Sequence, residues 1–345
     1  MALYLGILIF AFIITSIAII PFIDLLYRLH FTHTKPLPAS SVFEARAVTR
    51  LHHRHKWKLG TPIGGGIIII FLVTLVYSFL LPVMGKLGVY ITSVFPKKQE
   101  LNIIFFTFIA FGLLGLFDDI IKIFNLKKKG FLGLGVSHKA ILQVVLAVIV
   151  AAMLYLNLSI NVLNIPYIGV IRFGWWYIPV ATGIILLFTR AFDIADGLDG
   201  LANGVLLISL TALWAISFSM LDTLLSAFIA LWIGSLVAFM YFNVYPARIW
   251  LGNAGSLSFG ATLAVTGLLL GKTVGLLVIG GIFVIEIVTH YAQYFSTRLF
   301  RRRIFKITPL HYLLLDYGWP EPKIVMRAWL VSIFLALFGL WLAGV

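Results

Sequence analysis

Three carboxylates, Asp193, Asp196 and Asp199, fall within seven positions at the end of an apolar run, Ile178 to Phe192, in a chain with 12 acidic residues among 345. Clustered charge is costly beside apolar surroundings and repels itself, so this stretch should sit at an aqueous edge and be neutralised by something positive. A divalent metal, a basic partner or a phosphate-bound metal would serve. A second acidic pair, Asp118-Asp119, ends the apolar run from Ile103 to Phe117 and is followed by Lys122. Adjacent side chains on a helix diverge by about 100°, whereas Asp118 and Lys122, four apart, share a face. One aspartate is therefore expected to pair with lysine while the other addresses a different partner. The bland accounts are a solvated helix end for Asp118-Asp119 and helix capping for the later cluster. Acids this scarce at a bilayer edge argue against the first, and three carboxylates exceed the one or two that a helix start uses.

Asp196 and Asp199 lie on one helical face if a helix begins near Ile194. Downstream come Asn243-Val-Tyr-Pro246 and Gly252-Asn253-Ala254-Gly255-Ser256-Leu257. A Gly-rich turn entering a helix would aim backbone N–H groups at an anion, though a plain tight turn gives the same pattern. Asn243 and Asn253 are neutral oxygen ligands or hydrogen-bond partners, weaker for a hard cation than aspartate. The loop His52-His53-Arg54-His55-Lys56-Trp-Lys58, leading to Gly60-Thr61-Pro62 and three glycines, suits phosphate groups or lipid heads. His311, two residues after Pro309 and beyond Arg301-Arg302-Arg303, could hydrogen-bond a phosphate or move a proton. The absence of cysteine excludes disulfides, thiolate metal sites and a cysteine nucleophile, and no His-Glu-x-x-His zinc motif occurs.

These residues need elements to position them. With 61% hydrophobic and 11% charged residues and a mean hydropathy of +1.07, the chain is far from an ordinary globular composition of roughly 25% charged. It reads as an all-α integral membrane protein, one polytopic domain over residues 1–345, with Met1 to Ile20 opening a first transmembrane helix and not a removed leader. Ten spans are expected, near 3–27, 62–84, 101–121, 139–158, 177–192, 200–218, 223–242, 255–271, 274–297 and 324–343. The connections then alternate in charge: 21 of the 26 Lys and Arg residues fall on one side and five on the other. That side is assigned to the cytoplasm and both termini lie outside it. The polar clusters end helices three, five, seven and nine, which all run inward, so they would converge on one cytoplasmic face. The net charge of +14 reflects cytoplasmic loops and anionic lipid heads, with phosphate-bearing substrates next, and nucleic acid is not an expected partner. A transporter is the rival from another class; charges gathered at one face, and no broken helix discernible with polar residues at mid-depth, count against it.

In order along almost the whole chain, Gly60-Thr61-Pro62, Asp118-Asp119 with Lys122, Lys139, Asp196-Gly-Leu-Asp199-Gly, Phe242-Asn243 with Pro246, Gly255-Ser256-Leu257, Glu286 and Pro309-Leu310-His311 resemble the polyprenyl-phosphate N-acetylhexosamine-1-phosphate transferase family. The ending, with Gly318-Trp319-Pro320-Glu321 and Arg327-Ala-Trp329, is more similar to its phospho-N-acetylmuramoyl-pentapeptide transferase branch than to the N-acetylglucosamine branch. The resemblance implies ten spans in a bacterial cytoplasmic (inner) membrane, a cytoplasmic active site and Mg²⁺. It also implies transfer of a sugar-peptide phosphate from a UDP-linked donor to undecaprenyl phosphate, giving lipid I and UMP. A homodimer is compatible with it. By matching position it makes Asp118 and Asp119 candidates for binding or deprotonating the lipid phosphate, and Lys122 and Lys139 phosphate holders. Asp196 and Asp199 would face the nucleotide, Asn243 would line the site, and His311 would be the remnant of a histidine motif.

Three departures stand out. The family usually has aspartate, the expected Mg²⁺ ligand, where this chain has Asn253; it has asparagine where this chain has Asp193 and Arg190; and its histidine triplet is here His311-Tyr312-Leu313. The reciprocal exchange leaves the carboxylate count unchanged, so Asp193, with Asp118 and Asn253, is expected to form the metal side of the site. Weakened or lost transfer, or a sister enzyme using UDP-N-acetylglucosamine or another UDP-sugar, are the competing expectations, with a catalytically dead scaffold a third.

Overall fold

The computed structural model describes residues 2–32, 60–124 and 136–344, with side chains from 138 onward in the last stretch. The basic loop His52 to Lys58 and the connection 125–135 lie outside the described residues. Long apolar runs build the helices α1 (Ala2–Arg28), α2 (Gly65–Lys86), α3 (Lys97–Ile123), α4 (Val136–Leu158), α5 (Tyr177–Ala195), α6 (Leu201–Ser219) and α7 (Thr223–Asn243), with Pro21 inside α1 and Pro82 inside α2. They are followed by α8 (Gly252–Leu269), α9 (Thr273–Ile279), α10 (Gly281–Phe300), α11 (Leu310–Asp316) and α12 (Glu321–Gly344). A hairpin, β1 (Val162–Ile165) and β2 (Gly169–Arg172), interrupts the helical pattern between α4 and α5. Its β-branched residues flank the turn at Pro166-Tyr167, a local preference that the expectation of an all-α chain passed over.

Among the described residues, eight helices are long and apolar enough to cross a membrane, nine if α9 and α10 count as one bent span. The expected ten differ at α8. Its opening Gly-Asn-Ala-Gly-Ser is polar, yet the helix is buried from Ala254 to Leu269, and a span that meets protein on all sides does not need a lipid-facing surface. The ninth expected helix, near 274–297, is broken by 79° at Gly280. There a side chain would collide with Phe188, whose ring carbon lies 2.4 Å from the place a Cβ would take. The carbonyl of Ile279 next to the break lies 3.4 Å from Ser209 Oγ, whose hydroxyl also reaches the Val205 carbonyl at 2.9 Å. The break removes one of the two arguments against a transporter; the gathering of charge at helix ends remains.

Helix α8 is the axis of the molecule, packed against α3 on one side and α5 on the other, while α1 lies along α7. Lipid is as apolar as leucine, so close packing and not water exclusion holds such helices together, and small residues let them approach. A Cβ on Gly115 of α3 would lie 2.0 Å from the carbonyl oxygen of Asn253, and one on Gly66 of α2 would lie 2.2 Å from Gly255. Deeper down, Phe108, Trp232 and Phe259 knot α3, α7 and α8 together with ring centroids 5.3–5.8 Å apart. These approaches bring the end of α3 against the start of α8.

Candidate active site

Asp118 and Asp119 end the apolar part of α3, and the two carboxylates diverge as the helix geometry requires. Asp118 Oδ2 lies 2.9 Å from Lys122 Nζ on the same face and 2.9 Å from Lys139 Nζ, brought in by α4. The same oxygen accepts a hydrogen bond from Asn253 Nδ2 at 2.7 Å. Asp119 turns the other way and accepts the backbone N–H of Ala254 at 3.1 Å. That N–H is one of the donors a helix start leaves unpaired, so Asp119 caps α8 from a neighbouring helix.

Asp193, two residues before the end of α5, stands across from Asp118. Its Oδ2 is 3.6 Å from Lys139 Nζ and its Oδ1 accepts from Ser256 Oγ at 3.3 Å. One ammonium thus lies between two carboxylates from different helices, and Arg190, one turn earlier on α5, bears on it electrostatically. Exposure grades the cluster from the buried Asp118 side chain (6%) through Lys139 (11%) and Asp193 (24%) to Lys122 (53%), so the lysine is the group that solvent or a ligand meets first.

Asp196 and Asp199 do not share a helical face. Helix α5 runs on to Ala195 and Asp196 is its C-cap, so 196–200 is a turn and α6 starts at Leu201. The condition for a shared face, a helix beginning near Ile194, is therefore not met, and the chain here is held from outside. Asp199 Oδ2 accepts the Ala247 N–H at 3.0 Å, and its own N–H donates to Glu321 Oε1 at 2.7 Å. Asn243, at the end of α7, accepts from Asn203 Nδ2 at 2.8 Å and donates to the carbonyl of Ile249 at 3.0 Å. Both residues therefore fasten the loop 244–251, which leads into α8.

His311 belongs to a second cluster. Its Nδ1 is 3.1 Å from Glu286 Oε2, and the ring is buried against the Asp196-Gly197 turn, where a Cβ on Gly197 would lie 2.6 Å from Nε2. Glu286 also accepts the N–H of Leu310 at 3.0 Å, which ties α11 to α10. Burial, with the negative charges of Glu321, Asp196 and Glu286, pushes the neighbouring Tyr312 phenol well above its usual range, so it stays a protonated hydroxyl.

Glycosyl transferase family 4 matches residues 101–271. A phospho-N-acetylmuramoyl-pentapeptide-transferase of Clostridium perfringens is 35% identical over 272 residues, covering 79% of this chain and 80% of that protein. Proteins of the same name from Clostridium beijerinckii (33% over 288 residues, 83% of each chain) and Bacillus pumilus (30% over 289 residues, 84% of this chain and 85% of the other) align similarly. The chain belongs to this transferase family.

For a family member the matched stretch is informative: it contains Asp118, Lys122, Lys139, Asp193 and Asn253, but ends before Glu286, His311 and Glu321. Three contributors, Ser256, Glu286 and Glu321, were not among the expected site residues, Glu286 having appeared only in the family motifs. Ser256 was visible only as part of a Gly-Ser-Leu motif, and Glu321, buried at the start of α12, carried no signal that it would hold a turn 122 residues away.

The implied metal can be tested against the donors present. Among the described residues no three His, Cys, Asp or Glu side chains gather as a metal-holding group. What does gather is Asp118 and Asp193 with the neutral oxygens of Asn253 and Ser256, around a place that an ammonium now fills. Mg²⁺ is commonly held by one or two carboxylates plus substrate phosphates, so this set fits a metal that arrives with, or is completed by, a diphosphate.

Proposed function

We propose that this chain transfers phospho-N-acetylmuramoyl-pentapeptide from its UDP-linked donor to undecaprenyl phosphate, giving lipid I and UMP. The observation that carries the reading is the convergence of two lysines and the entry of α8 on Asp118, a dense arrangement of positive groups around one carboxylate in a member of this family. An oxygen of the lipid phosphate forms a bond to the sugar-bearing phosphorus of the donor. The bond from that phosphorus to the bridging oxygen breaks, its electrons leave with UMP, and the lipid keeps the new diphosphate. Both reactants are anions, so neutralisation and alignment dominate the barrier.

Lys122, the most exposed member, receives phosphate first, and Lys139 neutralises charge deeper in. Asp118 orients both ammonium groups and takes the acceptor's proton when the phosphate arrives protonated. Asp119 acts as a positioning residue that holds the start of α8. His311 and Glu286 buttress the Asp196-Gly197 turn on the nucleotide side, with Asp199 and Asn243 fixing the loop beside it. Mg²⁺, held by Asp118 and Asp193 with Asn253, would supply Lewis-acid stabilisation of charge on the phosphoryl oxygens.

In this reading α8 is a protein-encircled span that brings the number in a single domain to ten, both termini face away from the cytoplasm, and the site opens to the cytoplasmic side of a bacterial inner membrane. The shortened histidine motif favours one second reading, a sister transferase for UDP-N-acetylglucosamine. Purified chain offered radiolabelled undecaprenyl phosphate with each donor in turn should label a lipid only with UDP-N-acetylmuramoyl-pentapeptide; labelling only with UDP-N-acetylglucosamine would move the assignment to the sister reaction.

The metal side makes its own prediction. Asp193→Asn should weaken Mn²⁺ binding, read by electron paramagnetic resonance in the presence of donor, by roughly tenfold, and Asn253→Asp in that background should restore it. Undiminished Mn²⁺ binding by Asp193→Asn would remove Asp193 from the metal site.

A further inference from the structure

Helix α12 carries one exposed stripe along its length: Lys323, Arg327, Leu330, Phe334, Leu337 and Trp341, spaced alternately four and three apart. At 3.6 residues per turn these positions stay within about 40° of one line. Residues 328–344 contain no charged side chain. As helix they span about 26 Å, close to the roughly 30 Å of a hydrocarbon core. At the far end Trp341 meets Tyr167 of the β1–β2 hairpin, with ring centroids 6.2 Å apart, and both rings are exposed, as in the aromatic belt of a membrane interface. Arg327 and Lys323 therefore stand at headgroup depth on the opposite side, at the end of α12 that holds the 196–200 turn.

Two features make this end more than a boundary between helix and water. The first is that one ring gathers both cations: Lys323 Nζ lies 4.8 Å and the Arg327 guanidinium carbon 4.4 Å from the centroid of Trp319. That ring is itself held, half-buried against the core, with the Trp319 N–H donating to the Leu314 carbonyl at 3.2 Å. The second is that the acids flanking the patch in sequence are engaged elsewhere. Asp316 pairs with Lys306, and Glu321 accepts the Asp199 N–H. Among the described residues neither Lys323 nor Arg327 has a carboxylate partner. Like charges one turn apart on a helix repel, so an anion between them relieves a cost that the chain itself leaves standing.

We infer that Trp319, Lys323 and Arg327 seat the phosphate of an anionic glycerophospholipid, whose acyl chains lie along Leu330, Phe334 and Leu337. Arg327 offers a fork for two phosphate oxygens and Lys323 a point charge beside it. The choice of a lipid over a soluble anion or an acidic peptide comes from the stripe: the cations are continuous with exposed apolar side chains that only hydrocarbon would cover. The site is separate from the transferase reading and needs only that α12 spans the bilayer.

The test uses the full chain in phosphatidylcholine nanodiscs with a small fraction of phosphatidylglycerol carrying a diazirine next to its headgroup. On photolysis, adducts should map to the segment 319–330 and be competed by unlabelled phosphatidylglycerol but not by added phosphatidylcholine. Lys323→Gln and Arg327→Gln should each lower the adduct yield roughly fivefold, while Arg327→Lys keeps most of it. Should a Gln variant not fold, raising the salt to about 0.5 M should lower the yield on the parent chain in the same way. Several outcomes would overturn the proposal. One is a yield unchanged by both Gln variants and by salt, as an unselective boundary lipid would give. Others are equal competition by phosphatidylcholine, or competition by a soluble acidic peptide, which would make this a peptide site. Competition by undecaprenyl phosphate at a much lower mole fraction than phosphatidylglycerol would give the site to the acceptor instead.

Discussion

Asp118→Asn is expected to lower the rate of phosphosugar transfer by roughly 10²–10⁴-fold, the range typical of losing a catalytic acid-base or charge-stabilising group. Two lysines and the Asn253 amide all address Asp118 Oδ2. An amide of the same shape cannot orient two ammonium groups or take up a proton, so the loss should appear in kcat with little change in thermal stability. Asp119→Asn is the informative contrast. Its carboxylate accepts the Ala254 N–H, a task an amide oxygen can still perform, so the rate should fall much less. Equal losses in the two variants would show that the division of labour between the adjacent aspartates is wrong.

The second large effect is steric. Gly115→Ala puts a methyl group 2.0 Å from the Asn253 carbonyl oxygen and 2.4 Å from its carbon. Both are backbone atoms, so α3 and α8 must separate, at an overpacking cost of about 1–3 kcal/mol, and the separation draws Asn253 away from Asp118. Denaturant unfolding in detergent should show the lost stability and the transfer assay a parallel loss of rate. Gly183→Ala on α5, where nothing lies within 4 Å, is the control and should leave both unchanged or gain a little helix stability. A fully stable and active Gly115→Ala protein would mean that the α3–α8 approach does not set the site.

What could be read before the fold was known was what a single element determines. Membrane character, most span positions and the Asp118–Lys122 pair follow from composition and 3.6-residue periodicity, because both partners of that pair sit on one helix. The pairing of Lys139 with both Asp118 and Asp193 was not visible, since it joins three helices through packing that no local pattern encodes. The shape of the turn at 196–200 had no local signal, because Glu321, Ala247 and the Trp329 Nε1–H, which donates to the Gly200 carbonyl at 3.2 Å, all come from distant positions. The break at Gly280 likewise depends on Phe188, a neighbour only in space. Residue types carried the chemistry of the site, and tertiary contacts decided which of them meet.

The central claim is that the lipid phosphate attacks the sugar-bearing phosphorus and releases UMP. The most direct measurement uses undecaprenyl phosphate labelled with ¹⁸O on its phosphate, UDP-N-acetylmuramoyl-pentapeptide and the purified chain, with mass spectrometry of both products. The account predicts equimolar UMP and lipid I, with all of the label in the lipid and none in UMP. Label in UMP, or consumption of the donor without a lipid diphosphate, would contradict it.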